Sequence, residues 1–261
     1  MPEPLENIKQ KIISKYEKEA LEKNNSDWLQ KGGTERVPES PASHYFIDRK
    51  VNEALLMCKN EVSAESKVLE IGCSFGHMTA LLSKKFKSLT AIDISPESIS
   101  IAEKRLTYYG IQNVSFIIDD AETLSHLPDN SFNAIFSFST IRFCPRPQEA
   151  LKAIYKKLKP GGIAIIDFPN RYSPWHIFVK KAAGIDKHIF DHLFSVSDAK
   201  TLFHEAGFAI TRTKRFLFTS KRLPSKLLFL SKCVEAVLDQ VPFLSHFAGI
   251  IMIKGIKNDN R

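Results

Sequence analysis

The sequence has few cysteines, and their arrangement suits neither a disulfide framework nor a metal site. Its 261 residues contain four, and they lie far apart with no Cys-x-x-Cys pair: Cys58, Cys73, Cys144 and Cys233. Disulfide-stabilised secreted domains are rich in cysteine, and structural zinc sites need clustered cysteines or histidines. We therefore expect reduced thiols, a cytoplasmic location and no bound metal.

Long apolar runs are also missing. The first 30 residues are charged and have no apolar segment typical of a secretory signal. No stretch approaches the roughly 20 uninterrupted apolar residues of a membrane span. The formal net charge of +8 is spread over the chain and by itself identifies no anionic partner. These absences predict a soluble protein that is at most peripheral at a membrane, and the 43% hydrophobic content suffices for one large core.

One segment has the pattern of a nucleotide-binding turn between two strands. The apolar run Val68–Ile71 ends at a turn that contains Gly72 and Gly76. A helix-like stretch follows, and a second apolar run, Leu89 to Ile94, carries the acid Asp93 at its end. This order of strand, glycine turn, helix and strand predicts a nucleoside-containing ligand.

The acids and the missing glycines narrow the choice of ligand. Glu70 and Asp93 lie at the predicted ends of neighbouring parallel strands, where they suit an ammonium group and a ribose diol. A dinucleotide site needs Gly-x-Gly-x-x-Gly, but Ser74 and His77 occupy the second and third glycine positions. The pattern favours a positively charged ligand without phosphate, such as S-adenosylmethionine.

The segment Glu70-x-Gly72-x-Ser74-x-Gly76 resembles motif I of the class I S-adenosylmethionine-dependent methyltransferases of the small-molecule type, with Ser74 in place of the family's middle glycine. Four further landmarks follow in the family's order. They are Asp93, the acidic turn Asp120-Ala121-Glu122, the strand Phe132–Ser137 with Asn133 in place of an acid, and the turn 158–162. The resemblance covers roughly residues 62–170 strongly and 192–255 weakly.

This resemblance implies an α/β fold with a seven-stranded, doubly wound, Rossmann-like sheet that is mostly parallel and has an antiparallel last strand. It also implies methyl transfer from S-adenosylmethionine, by in-line displacement, to a small-molecule or lipid-like acceptor, with S-adenosylhomocysteine as the product. The cofactor-binding residues that it implies are Glu70, Gly72, Cys73, Gly76, Asp93, Ile94, Asp120, Ala121 and Ser137.

Periodicity and turn residues predict the organisation of the rest of the chain. Helices over 4–24 and 46–60 form an N-terminal cap, residues 1–60, that packs over the cofactor mouth. The methyltransferase domain spans 61–261 and contains a helical insert at 223–246. Its predicted strands are 67–71, 88–93, 114–118, 132–138, 163–168, 208–218 and 247–255, and its predicted helices are 76–86, 96–109, 147–158 and 197–206.

The acceptor side is less clearly indicated. His192 precedes the helix 197–206 where many small-molecule methyltransferases carry a histidine, so it is a candidate general base. It could equally cap that helix or order the loop. A base is not required, because positioning of donor and acceptor can supply most of the rate. Candidate residues of the substrate pocket are Tyr45, Arg142, Tyr172 and Trp175.

The insert allows two interpretations. From Ala206 to Val234 the chain has seven Lys or Arg and no acid, and Leu227, Leu230 and Val234 begin an apolar helical face. This combination fits a peripheral membrane contact, or a solvated surface beside a core-facing helix. Nucleic acid is disfavoured because the chain carries no nucleic-acid-binding motif.

Two rival functions remain open. One is a non-catalytic methyltransferase-like adaptor that uses the basic insert, and the other is an NAD-dependent oxidoreductase. The sequence does not identify the acceptor atom or the oligomeric state.

Overall fold

The computed structural model describes residues 4–24, 40–179, 191–221, 223–239, 241 and 243–258. Seven helices of at least six residues lie in these ranges: α1 (Leu5–Asn24), α2 (Pro41–Met57), α3 (His77–Leu82), α4 (Pro96–Tyr108), α5 (Pro147–Lys157), α6 (Val196–Ala206) and α7 (Leu228–Leu238). Within them, no helix is both long and apolar enough to cross a membrane.

One sheet of seven strands organises the molecule. The strands are β1 (Val68–Ile71), β2 (Leu89–Asp93), β3 (Val114–Ile118), β4 (Phe132–Ser137), β5 (Leu158–Pro169), β6 (Phe208–Phe216) and β7 (Ile250–Lys257). Their order is β3-β2-β1-β4-β5-β7-β6. β7 runs antiparallel to both of its neighbours, and the other pairs are parallel. The predicted doubly wound sheet with an antiparallel last strand is therefore confirmed.

Alternation along the strands divides the core into two layers. Successive side chains of a strand point to opposite faces of the sheet, so Leu69 and Val68 enter different layers. Leu69 belongs to the cluster that contains residues of α5 and α6, including Phe203. Val68 belongs to the cluster that contains residues of α2 and α3, such as Val51 and Leu82. Each face of the sheet is covered, as a largely parallel sheet requires.

Several element boundaries differ from the predicted ones. α2 begins at Pro41 because the Ser40 hydroxyl accepts a hydrogen bond from the Ser43 amide (3.2 Å) and caps the helix there. α3 ends at Leu82, earlier than predicted. β5 begins at Leu158, which pairs with Phe132, so it takes in the turn that was expected to precede it.

The insert has an unexpected orientation. α7 turns Leu228 and Glu235 towards the protein, whereas Leu230 and Val237 are 61% and 63% exposed. The interpretation of this helix as core-facing is therefore wrong for its apolar side. Of the basic residues noted before it, Arg222 lies outside the described part of the chain.

Candidate cofactor and acceptor site

A cavity of about 270 Å³ opens at the carboxyl ends of the strands. Loops that follow parallel strands meet at this edge, which is where ligands of open α/β sheets bind. Seven of the predicted cofactor residues line it: Glu70, Gly72, Cys73, Asp93, Ile94, Asp120 and Ala121. Gly76 and Ser137 do not line it. Gly76 precedes α3 in a left-handed conformation, and Ser137 is buried with its hydroxyl 3.4 Å from the Ile71 carbonyl oxygen.

The glycine turn after β1 is shaped by its backbone. The amides of Gly72 and Cys73 both donate to the Ile92 carbonyl, at 2.8 and 2.9 Å, which ties the turn to β2. Gly72 has φ +75°, and a Cβ there would lie 2.0 Å from Oγ1 of Thr140. Ser74 has φ +48°, a conformation that favours glycine. Ser74 therefore adopts the positive-φ backbone conformation that suits the family's middle glycine, although this conformation is less favourable for a residue with a side chain.

Glu70 places a carboxylate at the floor of the cavity. Glu70 is 1% exposed, and its Oε2 has no hydrogen-bond partner among the described residues. Burial raises the pKa of Glu70 to about 7, and the nearby charge of Asp93 adds to this effect. A hydrogen bond with the Thr79 side chain opposes this rise. The buried Oε2 is suited to receive a cationic group, which would favour the ionised form of the carboxyl.

Asp93 ends β2 and keeps part of its hydrogen-bonding capacity unused. Its Oδ2 accepts from the Ser74 amide at 2.8 Å, and its Oδ1 accepts from the Ser95 amide at 3.0 Å. A carboxylate has about four acceptor positions, so part of its capacity remains for hydroxyl donors. Burial raises the pKa of Asp93, and the backbone amides oppose this shift. The two amides also fix the orientation of the carboxylate.

Two consecutive acids follow β3, and they have different roles. Asp119 accepts from the backbone amides of Asp120, Ser125 and His126 at 2.8–3.1 Å, so it stabilises the turn. Asp120 instead pairs with Lys9 from α1, which also lies 2.9 Å from Glu122. Burial alone would lower the pKa of Lys9, but the two acids raise it overall. α1 thus reaches the site through an ion pair that the sequence did not reveal.

Cys73 lines the cavity as a neutral thiol. Burial raises its pKa well above the usual range, and the charges of Asp93 and Glu70 raise it further. The thiolate is the nucleophilic form of cysteine, so these surroundings suppress reactivity. Cys73 therefore serves as a small, unreactive residue in the cavity lining.

A second group of residues lines the cavity beside the end of β4. It comprises Ile12, Tyr16, Ile47, Phe138, Ser139, Phe143 and Lys221. Three of these come from α1 and α2, and the ring of Tyr16 packs edge-on against that of Phe143 with centroids 6.0 Å apart. Ile12 and Tyr16 belong to the helix predicted over 4–24, but nothing in the sequence connected that helix with the segment after β4.

A buried ion pair lies directly behind Ser139. Lys50 of α2 and Asp167 of β5 are in contact and are 0% and 1% exposed in their side chains. The Lys50 ammonium donates to the Ser139 hydroxyl at 2.6 Å, and the Ser139 amide donates to Asp167 at 2.6 Å. Burial lowers the pKa of Lys50 in spite of the neighbouring carboxylate. Ser139 is held at φ +56° by these contacts.

The predicted acceptor-side residues do not line this cavity. Tyr45 lies under Lys232, whose Nζ is 4.7 Å from the ring centroid, and burial raises the pKa of Tyr45 to about 12. Tyr172 is 42% exposed and stacks on His246. Trp175 is half-buried in a π-helical turn, Trp175–Val179.

Arg142 and His192 lie next to each other at the edge of the same region. Arg142 pairs with Asp191, and its carbonyl accepts a hydrogen bond from the His192 amide at 2.9 Å. Arg142 is also the sequence neighbour of Phe143, which lines the cavity. His192 itself does not line the cavity.

Residues 69–166 match the family model of the methyltransferase domain. A malonyl-[acyl-carrier protein] O-methyltransferase of Priestia megaterium is 37% identical over 105 residues, which are 40% of this chain and 36% of the relative. A second, from a Marinomonas species, is 28% identical and covers 63% of this chain and 60% of the relative. The ubiquinone/menaquinone biosynthesis C-methyltransferase UbiE of Pseudomonas fluorescens is 28% identical and covers 75% of this chain and 74% of the relative. The chain thus spans less than two thirds of the length of both O-methyltransferases.

Solved structures share the fold at lower identity. The [4+2]-cyclase SpnF superposes with a TM-score of 0.61 at 19% identity, over 81% of this chain and 80% of the cyclase. An S-adenosylmethionine-dependent methyltransferase from Mesorhizobium loti gives 0.59 at 15% identity, over 80% of this chain and 97% of that protein. Because one of these proteins is a cyclase, the fold alone does not specify methyl transfer.

Proposed function

This chain belongs to the class I S-adenosylmethionine-dependent methyltransferases, and on that premise we propose that it transfers a methyl group from S-adenosylmethionine to a small-molecule or lipid-like acceptor. The observation that carries the proposal is the buried Glu70 carboxyl, which lines the cavity beside Asp93 and whose Oε2 has no hydrogen-bond partner in the described part of the chain. A cofactor with an ammonium group and a ribose diol would satisfy both acids.

We name the part of the cavity lined by Glu70, Asp93 and Asp120 the cofactor half, and the part lined by Ile12, Ile47, Ser139 and Phe143 the acceptor half. Glu70 receives the ammonium group, the turn 72–76 lies against the methionine portion, and Asp93 binds the ribose hydroxyls. Asp120 and Ala121 bind the adenine ring, and Ile94 lies beside it. Lys9 of α1 pairs with Asp120 and lines the cavity, which supports a covering role for α1 at this end. A nicotinamide dinucleotide is a poorer fit, because its two phosphates would face Glu70 and Asp93.

When bound, the sulfonium of the cofactor supplies an electrophilic methyl group. The chain's own contribution is to hold an acceptor in line with that group and to exclude water. Ile12, Ile47 and Phe143 provide an apolar wall, whereas Ser139 and Lys221 provide polar groups. The Ser139 oxygen accepts a hydrogen bond from Lys50, so its own proton can be donated into the cavity. These groups favour an acceptor that carries an anionic or hydrogen-bond-accepting group.

Proton removal by His192 is a separate, weaker part of the proposal. His192 does not line the cavity, so positioning of the acceptor carries the mechanism, and His192 stays a prediction together with Tyr45, Arg142, Tyr172 and Trp175 as outer contacts. Relatives are named for malonyl-acyl-carrier protein and for ubiquinone and menaquinone biosynthesis, so their names do not identify the acceptor of this chain.

A cytoplasmic location with a peripheral membrane contact completes the proposal. The four cysteines are free thiols, which is typical of reducing compartments. A lipid-like acceptor would be reached from a membrane surface. The alternative of a non-catalytic adaptor shares the exposed insert but gives no role to the polar groups that line the cavity at Glu70 and Ser139.

Calorimetry with S-adenosylhomocysteine tests the cofactor assignment. We expect the wild-type protein to bind and Asp93→Ala to bind roughly 100-fold more weakly, because hydrogen bonds to a charged group contribute about 1.5–3 kcal/mol each. Glu205→Ala, at an exposed position of α6, is the control and should bind normally. Equal affinity of wild type and Asp93→Ala would contradict the assignment.

Transfer of label from methyl-labelled S-adenosylmethionine to a lipid or metabolite extract separates an enzyme from an adaptor. An enzyme would transfer the label, whereas an adaptor would bind the cofactor without transfer.

A further inference from the structure

The exposed apolar side chains of this protein are concentrated in one segment. Among the described residues, fifteen large hydrophobic side chains are exposed, and eight of them fall within residues 227–247. The most exposed are Phe229 at 79% and Phe243 at 75%. Scattered exposed apolar residues are normal, but a concentration of this kind marks a surface that binds something apolar. We name this surface the insert face, and it comprises Leu227, Phe229, Leu230, Val234, Val237 and Phe243.

Polar contacts fix the orientation of α7, so the exposure of its apolar side is built into the fold. Glu235 is 1% exposed and accepts from the hydroxyl and the amide of Thr219, at 2.7 and 3.2 Å. Asp239 pairs with Arg49 of α2, which also lies 3.8 Å from Glu235. A helix that turned its apolar side inwards would break these contacts and expose two acids in their place.

The same orientation sorts the charges of the segment by sign. Both acids, Glu235 and Asp239, face the protein body, whereas Lys221, Lys226 and Lys232 are exposed. Apolar side chains flanked by lysines, with no exposed acid among the described residues of 221–239, complement a surface that is negatively charged outside and apolar beneath. An anionic lipid bilayer is such a surface.

We propose that the insert face docks on an anionic lipid bilayer, with the α7 axis in the plane of the interface. An 11-residue helix is about half the length needed to cross the apolar layer, so it would lie on the bilayer. The insert packs against α2 through Tyr45 and Arg49, and Lys221 at its base lines the cavity. Docking would therefore bring the cavity close to the lipid. This inference specifies the surface and the lipid for the membrane contact included in the proposed function. The insert face contains none of the cofactor residues, so its docking does not depend on methyl transfer.

Vesicle co-sedimentation without cofactor tests the proposal. We expect the protein to bind vesicles made of equal parts phosphatidylcholine and phosphatidylglycerol, to bind less as salt rises, and to bind pure phosphatidylcholine vesicles weakly. Phe229→Ser with Leu230→Ser should weaken vesicle binding at least about tenfold, because it removes two apolar side chains that docking would bury in the bilayer. Lys226→Gln and Lys232→Gln should each weaken it about fivefold.

Matched controls use the same chemistry elsewhere on the surface. Leu56→Ser removes a side chain that is 57% exposed on α2, and Lys59→Gln removes an exposed charge after it, so neither should change vesicle binding. Unchanged melting temperatures and unchanged S-adenosylhomocysteine binding would show that the variants are folded. Failure of the proposed function would appear as absent cofactor binding, whatever the vesicles do.

Three results would overturn the proposal. The first is no binding of the wild-type protein to the anionic vesicles. The second is equal binding to neutral vesicles with no effect of salt. The third is a dimer in sedimentation equilibrium that Phe229→Ser with Leu230→Ser converts to a monomer without any loss of vesicle binding, since a second copy would then be the partner of the insert face.

Discussion

The two halves of the cavity are built in different ways. The cofactor half consists of loops that directly follow β1, β2 and β3, and its shape depends on backbone conformation at Gly72 and Ser74 and on amides that orient Asp93. The acceptor half consists of side chains from α1, α2 and the segment after β4, which are distant in sequence. The first half is therefore set by the fold itself, whereas the second can change with a few side chains while the fold persists.

The halves also differ in charge. The cofactor half presents the acids Glu70 and Asp93, and its third acid, Asp120, is paired with Lys9. The acceptor half contains Lys221 at its surface and Lys50, paired with Asp167, behind Ser139. Acids on one side suit a cationic methyl donor, and basic groups on the other suit an electron-rich acceptor. The two halves can therefore be tested separately, each with its own variants.

The largest effect is expected at the ion pair behind the acceptor half. Lys50→Met should lower the free energy of unfolding by about 3–5 kcal/mol, because it leaves the buried Asp167 carboxylate without its charged partner. Lys50→Met with Asp167→Asn should recover much of this loss, since an asparagine oxygen can still accept from the Ser139 amide. Urea unfolding measures both. If the double variant were no more stable than the single one, the pair would not be the source of the effect.

A smaller loss is expected at the backbone of the cofactor half. Gly72→Ala should cost roughly 2–3 kcal/mol, from a strained positive φ and from the contact with Thr140, and it should also abolish S-adenosylhomocysteine binding. Gly110→Ala is the matched control, because Gly110 has φ +67° and nothing within 4 Å of the added Cβ. It should cost only about 1 kcal/mol and leave binding intact. Similar losses of stability in both variants would show that the positive φ, and not the contact with Thr140, causes the loss at Gly72.

The same contrast explains what could be predicted from the sequence. The strands β1 and β2 follow from local patterns, because apolar runs that carry Glu70 and Asp93 recur at a recognisable spacing. The seven-stranded sheet and the predicted cofactor residues were implied by the family resemblance of these patterns. The partners of Lys9 and Lys50 are more than 100 residues away, at Asp120 and Asp167, and no local pattern indicates such contacts. The apolar face of α7 was visible in the sequence, but its outward orientation depends on the tertiary contacts of Glu235.

Glu70 should make cofactor binding depend on pH. With a pKa of about 7 in the protein alone, the carboxyl must lose its proton to meet an ammonium group, so affinity for S-adenosylhomocysteine should fall up to about tenfold per pH unit below 7. Calorimetry between pH 5.5 and 8.5 measures this. Glu70→Gln should bind weakly at every pH and lose the dependence. A wild-type affinity that stays constant over this range would contradict the role of Glu70.

Stability without cofactor should show the opposite trend at the same residue. The folded-state pKa of Glu70 lies above its ordinary value of 4.5, so the folded state holds the proton more tightly. The stability contributed by this group is complete below pH 4.5 and is lost as pH rises towards 7, by up to about 1.4 kcal/mol per unit. Above pH 7, Glu70→Gln should therefore be more stable than the wild-type protein. Thermal melting at pH 5 and pH 8 measures the difference.

The smallest effect is expected where α1 joins the two halves. Lys9→Met removes the ion pair with Asp120 and Glu122, and because all three side chains are largely buried we expect a loss of about 1 kcal/mol that is confined to α1. Hydrogen exchange should become about fivefold faster in residues 5–24, with no change in the strands. Lys18→Met, at an exposed position of the same helix, should leave exchange unchanged. Faster exchange in both variants would mean that helix propensity, and not the contact with the acidic turn, holds α1 over the cofactor half.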